Sequence, residues 1–216
     1  PTQFPFKQTL VHTVDSGDYV AGLEKAKQMA DYAGFESRRK QSEANGKLRG
    51  IGVSSYFEAC GIAPSAAVMS LGCGVGLWES AEVRFNPTGQ VTVYTGSHSH
   101  GQSHQTTFAQ IAADELGVPM ENIDIVHGDT DKGTFGMGTY GSRSLTVGGT
   151  AIVKACDKIV AKGKRVAAKM LEVSEDEIDF KNGEFVVAKS NKKKTIGEVA
   201  FACYLPGTYG ELKSPL

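Results

Sequence analysis

Residues Thr95–Gly149 read TGSHSHGQSHQTTFAQIAADELGVPMENIDIVHGDTDKGTFGMGTYGSRSLTVGG, and the rest of the chain is arranged around them. Two small-residue loops flank this stretch. The first, Gly96–His104, carries His98, His100, His104 and Gln102. The second, Gly133–Ser144, is glycine-rich and adds Thr139, Tyr140, Ser142, Arg143 and Ser144. Between them, Phe108, Ile111, Ala112 and Leu116 recur at helical spacing, so a helix is expected over 106–116, stopped by Gly117. Ile123, Ile125 and Val126 predict a short strand over 122–127. Glycine lets backbone N–H groups approach a ligand closely, and N–H groups with hydroxyls suit a phosphate. A second helix beginning just after Ser144 would turn its positive end to the same anion. Either loop alone reads as an ordinary turn. Two such loops around one αβ unit read as a binding site.

Working outward, WESAEVRFNPTGQVTVYTG predicts a hairpin over Asn86-Pro87-Thr88-Gly89 leading into the first loop. Downstream, Ile152, Ala155, Ile159, Val166 and Met170 predict a long helix over 146–171. Its early Gly148 and Gly149 cost propensity and imply close approach of a ligand or another element. Ser174 and Glu177 have the capping-box spacing. A hairpin over Asn182-Gly183, a charged NKKK tip and a last helix capped by Thr195 complete this end. Upstream, residues 1–14 look extended. Asp15 and Ser16 offer a cap for a helix striped by Val20, Leu23, Ala26, Ala30 and Tyr32, ending at Gly34. A solvated segment runs to Asn45-Gly46, and 50–60 reads as a strand before a loop over 61–68. The class is α+β, with mixed sheets and packed helices. Its parts are a helical lead-in over 1–49, a loop-bearing core over 50–171, and a terminal hairpin and helix over 172–216.

Composition limits the function classes. A chain of 216 residues can bury a real core. A net charge of −1 gives no electrostatic case for nucleic acid. No apolar run reaches bilayer-spanning length, and no signal peptide is visible. Cys60, Cys73, Cys156 and Cys203 lack zinc spacing and read as free thiols of a reducing compartment, with Cys60 and Cys73 expected buried. The histidines of the first loop lie at i, i+2 and i+6, which is not a helical metal pairing, so no metal ligands are expected. Glu58, Glu79 and Asp129 read as structural. Pro1 at one end and the open SPL at the other suggest a piece of a longer polypeptide.

HGQSH, QTTFAQIAADELGV, HGDTD and GMGTYGSRS together resemble the molybdopterin-binding region of the molybdenum hydroxylases, the xanthine oxidase and aldehyde oxidase family. The wording is nearest to the large subunits of aerobic carbon monoxide dehydrogenases. The resemblance runs over nearly the whole chain. It implies a fragment of a large subunit that binds molybdopterin with molybdenum, either plain or as the cytosine dinucleotide. It further implies a cytoplasmic complex with iron–sulfur and FAD-bearing partners, open to homo-oligomerisation. That complex would oxidise or hydroxylate carbon monoxide, an aldehyde or a heterocycle, with water as oxygen source. Cofactor contacts carried over by the resemblance fall on Gln102, Ser103, His104, Tyr140, Gly141, Ser142, Arg143 and Ser144. For Arg143, a phosphate contact and a structural ion pair weigh equally. Ser103 and Gln105 stand where the family usually carries Gly and Glu. The family's catalytic glutamate belongs to a later motif, so no catalytic residue is expected here and the fragment should not turn over alone. The competing readings are a non-enzymatic α+β module for another phosphate-bearing ligand, and an assembly piece with no ligand.

Overall fold

The computed structural model describes residues 1–8, 13–58, 60–61, 65–70 and 72–205. Parts of the expected extended lead-in (9–12) and of the loop over 61–68 (62–64) lie outside the described residues. The chain divides into two compact units, Pro1–Ala59 and Cys60–Leu216.

In the first unit, β1 (Phe6–Lys7) pairs antiparallel with β2 (Thr13–Val14). Helix α1 spans Tyr19–Met29 and α2 spans Phe35–Ala44. The cap of α1 is Asp18, whose carboxylate accepts the Ala21 N–H at 2.9 Å. Asp15 and Ser16 lie outside the helix. Gly34 starts α2 rather than ending one long helix, because Ala30 already closes α1. Neither helix buries a residue. The expected apolar stripe exists in sequence, but a unit this small has little interior to receive it. The expected strand over 50–60 is absent among the described residues: 50–58 form no ladder and lie exposed. Apolar content alone does not make a strand where no edge accepts its backbone.

The second unit carries the fold the central stretch dictates. Strand β3 (Ala81–Phe85) pairs antiparallel with β4 (Val91–Thr95), and β4 pairs parallel with β5 (Ile123–Val126). Val91, Val93 and Thr95 point inward by the two-residue alternation of a strand. A parallel pair needs a crossover, and α4 (His104–Leu116) supplies it. His104, Phe108, Ala112 and Leu116 recur every fourth residue on its buried face. After a short helix α3 (Ser65–Met69), the main helix is α5 (Thr150–Leu171), entered through a wide π-type turn over Ser144–Gly149. Its buried line of Ile152, Cys156, Ile159, Gly163 and Val166 follows the three–four spacing of an amphipathic helix. A second sheet, β6 (Ile178–Lys181), β7 (Glu184–Val187) and β8 (Lys193–Thr195), is antiparallel throughout. The charged NKKK run therefore enters a strand rather than only tipping a hairpin. Helix α6 (Ile196–Ala202) is capped by Thr195, with Glu198 returning a bond to the Thr195 N–H at 2.8 Å. The expected α+β class, with mixed sheets and packed helices, is the observed one.

One core unites these elements. Val91, Val93, Phe108, Leu116, Ile152, Val166, Phe185 and Val199 all belong to the same buried cluster. Gly117 ends α4 at φ 63°, and a methyl there would strike the backbone of the β6–β7 turn. Cys60 and Cys73 are exposed, against expectation. Glycine-rich neighbours left them without a side-chain layer to pack beneath. Cys156 is buried, and desolvation first, then Glu115 and Asp157, push its thiol up to about 12.

At Gly163 the Phe185 ring lies where a β-carbon would go. Gly163→Ala gains about 1 kcal/mol of helix propensity but must displace a wholly buried ring. We expect a net loss of about 1–3 kcal/mol in urea unfolding; a stability gain would show that the ring yields freely.

Candidate functional site

The two loops meet. A cleft of about 410 Å³ is lined by Gln102, His104, Thr107 and Phe108 from one side and by Thr139–Leu145 from the other. Of the eight expected contact residues, seven line this cleft, and Ser103 sits beside it as the cap of α4. Thr107, Phe108 and Leu145 were not anticipated. Thr107 lies three residues after His104 on the same helix, which puts it on the same face; that spacing was a usable signal.

Each position follows from local chemistry. Ser103 holds φ 61°, a left-handed backbone that starts α4. Glycine adopts this conformation without strain and serine does not. The carboxamide oxygen of Gln102 accepts the His100 N–H at 2.5 Å, which leaves its NH2 to donate. His104 is buried, stacks on Phe108 with centroids 4.9 Å apart, and faces the Ser97 carbonyl at 3.3 Å through Nδ1. A carbonyl only accepts, so Nδ1 carries the proton and Nε2 is the acceptor nitrogen of the neutral ring. On the other wall, Gly141 and Ser142 take φ 54° and 51° in succession, which turns the chain into the π-type turn. The Ser142 carbonyl accepts the Gly61 N–H at 2.9 Å. Ser144 and Thr139 share a hydroxyl pair at 2.9 Å, so one of their two hydrogens stays available to a ligand. Gly148 is set by a close approach within the protein: a methyl there would lie 2.9 Å from the Ser97 hydroxyl.

Arg143 settles into the ion pair. Its guanidinium is sealed from solvent against Glu79 at 3.2 Å, with neither side chain exposed. It also donates to the carbonyls of Gly138, Leu77 and Trp78. Of its nitrogens, only Nε lacks a partner among the described residues. Glu79 in turn accepts from the Ser97 hydroxyl at 2.9 Å and the Gly138 N–H at 3.2 Å. This explains why β3 begins at Ala81 rather than at Trp78. Residues 77–80 leave the ladder to bond the second loop, with Ser80 donating to the Phe135 carbonyl and Thr134 to that of Ser80. Asp129 is structural, holding its own turn through the Asp131 N–H at 3.0 Å.

A second cleft of about 350 Å³, lined by His98, Asp129, Thr130 and Thr134 among others, opens beyond the carboxyl ends of the parallel strands. Beside it His98 packs edge-on against His100 and His127, with centroids 5.0 and 5.2 Å apart. Both ring nitrogens of His127 are buried without a partner among the described residues. Among the described residues no cluster of three or more His, Cys, Asp or Glu could hold a metal ion, and no helix is long and apolar enough to cross a membrane.

Desolvation, followed by His98 and His104, holds His127 below the ordinary imidazole value of 6.5. The unfolded chain therefore takes up this proton first as pH falls. Stability should be full above about 6.5 and decline below it at up to about 1.4 kcal/mol per pH unit. In His127→Phe that acid limb should flatten in urea titrations; an unchanged slope would assign it to other groups. Ser103→Gly should raise stability by about 1 kcal/mol by relieving its left-handed backbone; a loss would show that the hydroxyl outweighs the strain.

Residues 25–214 match the molybdopterin cofactor-binding domain family. The chain is 40% identical to the carbon monoxide dehydrogenase large chain of Hydrogenophaga pseudoflava, over 94% of this chain and 25% of that one. It is 34% identical to the nicotine 6-hydroxylase large subunit of Paenarthrobacter nicotinovorans, over 94% and 25%. Among solved structures it is similar to reconstituted CO dehydrogenase from Oligotropha carboxidovorans, with TM-score 0.71 and 37% identity over 100% of this chain and 27% of that one. Quinoline 2-oxidoreductase from Pseudomonas putida 86 gives TM-score 0.70 and 36% identity over 96% and 27%. The chain thus spans about a quarter of the length of these relatives. A family match over most of the sequence and a shared fold at this identity lead to one conclusion: the chain belongs to the molybdopterin cofactor-binding domain family.

Proposed function

We propose that the cleft between the two loops holds the pterin and phosphate end of molybdopterin. The observation that carries this reading is the convergence of Gln102 and His104 with Tyr140–Ser144 on one cleft of about 410 Å³. The donor set fits the group. Gln102 offers an amide NH2 and His104 an acceptor nitrogen to a pterin edge. The Thr139–Ser144 pair offers a hydroxyl hydrogen. The successive left-handed residues Gly141 and Ser142 open a turn into a helical N-terminus, whose N–H groups favour a phosphate. The buried Nε of Arg143 is one further donor without a partner among the described residues. Ser103 adds the backbone bend that starts α4.

The parent protein is then the large subunit of an oxidoreductase. When bound, the cofactor supplies the oxidation chemistry; this chain supplies position and electrostatics. Its substrate is a small molecule such as carbon monoxide, an aldehyde or a heterocycle, oxidised or hydroxylated with oxygen drawn from water. The relatives named for carbon monoxide, nicotine and quinoline chemistry support that range. The pterin is held plain or as the cytosine dinucleotide, and in this reading electrons leave through iron–sulfur and FAD-bearing partners in a cytoplasmic complex. Catalytic groups belong to other parts of the large subunit.

The test compares the full-length parent protein with its Gln102→Ala and Ser142→Ala/Ser144→Ala variants, analysed for molybdenum and extracted pterin. The wild type should carry both, and the variants should lose most of their content at unchanged secondary structure. Full retention in the variants, or a wild type without molybdenum, would sink the assignment.

A further inference from the structure

We propose that Glu79 is a positioning residue for the cofactor cleft, its buried carboxylate holding the first loop in register with the second. The inference rests on the reading of the cleft given above. Glu79 does not line the cleft. Yet it touches both walls from behind. On the first wall it accepts from the Ser97 hydroxyl at 2.9 Å, and the Ser97 carbonyl is the group that fixes the His104 ring. On the second wall it accepts the Gly138 N–H at 3.2 Å, one residue before Thr139. It also pairs with Arg143 at 3.2 Å, between Ser142 and Ser144.

The glycines give the same account independently. A methyl on Gly96 would lie 2.5 Å from the Glu79 carboxylate and 2.7 Å from the Gly136 backbone, and one on Gly136 would overlap that carboxylate. The two loops therefore cross at paired glycines, with the carboxylate wedged against both. No side chain other than glycine leaves that space at either position.

A buried ion pair that served only the fold would be replaceable. Exchanging both partners for apolar side chains of similar volume is often neutral or stabilising, whereas removing one is costly. A clamp behaves differently, because Leu cannot accept from Ser97 and Gly138 whatever becomes of Arg143. This separates the two roles by experiment.

The measurement uses the full-length parent protein as wild type, Glu79→Leu and Glu79→Leu/Arg143→Met. Three quantities are read: hydrogen exchange over 95–104 and 133–144, thermal stability, and extracted pterin. In Glu79→Leu, exchange in both loops should quicken together by about tenfold or more while the β6–β7 hairpin stays protected. Pterin content should fall by about 10- to 100-fold, the usual effect of losing a supporting partner. The double variant should regain thermal stability but neither loop protection nor pterin. The proposal is overturned if both loops exchange as in the wild type in Glu79→Leu. It is equally overturned if the double variant regains protection and pterin along with its stability. A wild type that carries no pterin would overturn the cofactor reading of the cleft instead, and the exchange data alone would then decide for or against the clamp.

Discussion

A carboxylate and a guanidinium sealed together behind two loops constrain everything around them. Removing both charges from water is expensive and is offset only when their remaining donors and acceptors are satisfied. Arg143 meets that demand with three backbone carbonyls, and Glu79 with the Ser97 hydroxyl and the Gly138 N–H. These partners come from three separate stretches: the entry to β3, the first loop and the second. Once the pair is buried, those stretches have one mutual arrangement. The departure of 77–80 from the β3 ladder, the glycines at 96 and 136, and the buried hydroxyl of Ser97 all follow from it.

The apolar core fixes the frame on which that arrangement rests. Helix α4 lies against β5, and α5 packs against both α4 and β3; Phe108, Ala112, Leu116, Ile152, Cys156 and Ile159 all belong to the one buried cluster. Loops positioned by a packed scaffold are where binding residues concentrate. Both loops here leave from such ends: the first runs from β4 into α4, and the second turns into α5 through the π-type turn. Turns of that kind recur at functional positions because they widen the helix and reorient its first N–H groups. Gly148 sits in that turn, and its bare backbone lets it lie against Ser97 and Phe108.

The legible parts of the sequence were those with a local cause. The β3–β4 hairpin turn, the Gly117 stop, the capping box at Ser174 and Glu177, the Thr195 cap and the Asn182-Gly183 turn each carry their structure in a few adjacent residues. The failures had non-local causes. The stretch 50–58 has strand-like composition but no edge to join. The stripe of α1 has no interior to enter. Cys60 and Cys73 sit among apolar residues without being covered by them. The structural reading of Glu79 agrees with its ion pair, but the partner was not legible, because Arg143 is 64 residues away.

The sequence by itself determined that two small-residue loops bracket an αβ unit and that their polar residues suit a phosphate-bearing ligand, because glycine content, helix period and turn chemistry are properties of neighbouring residues. Only the tertiary structure decided that the two loops share one cleft, that Arg143 spends its charge on Glu79, and that Ser103 bends left-handed to begin α4. Those outcomes depend on which distant groups are brought within hydrogen-bonding distance when the core closes, and no local pattern encodes that distance.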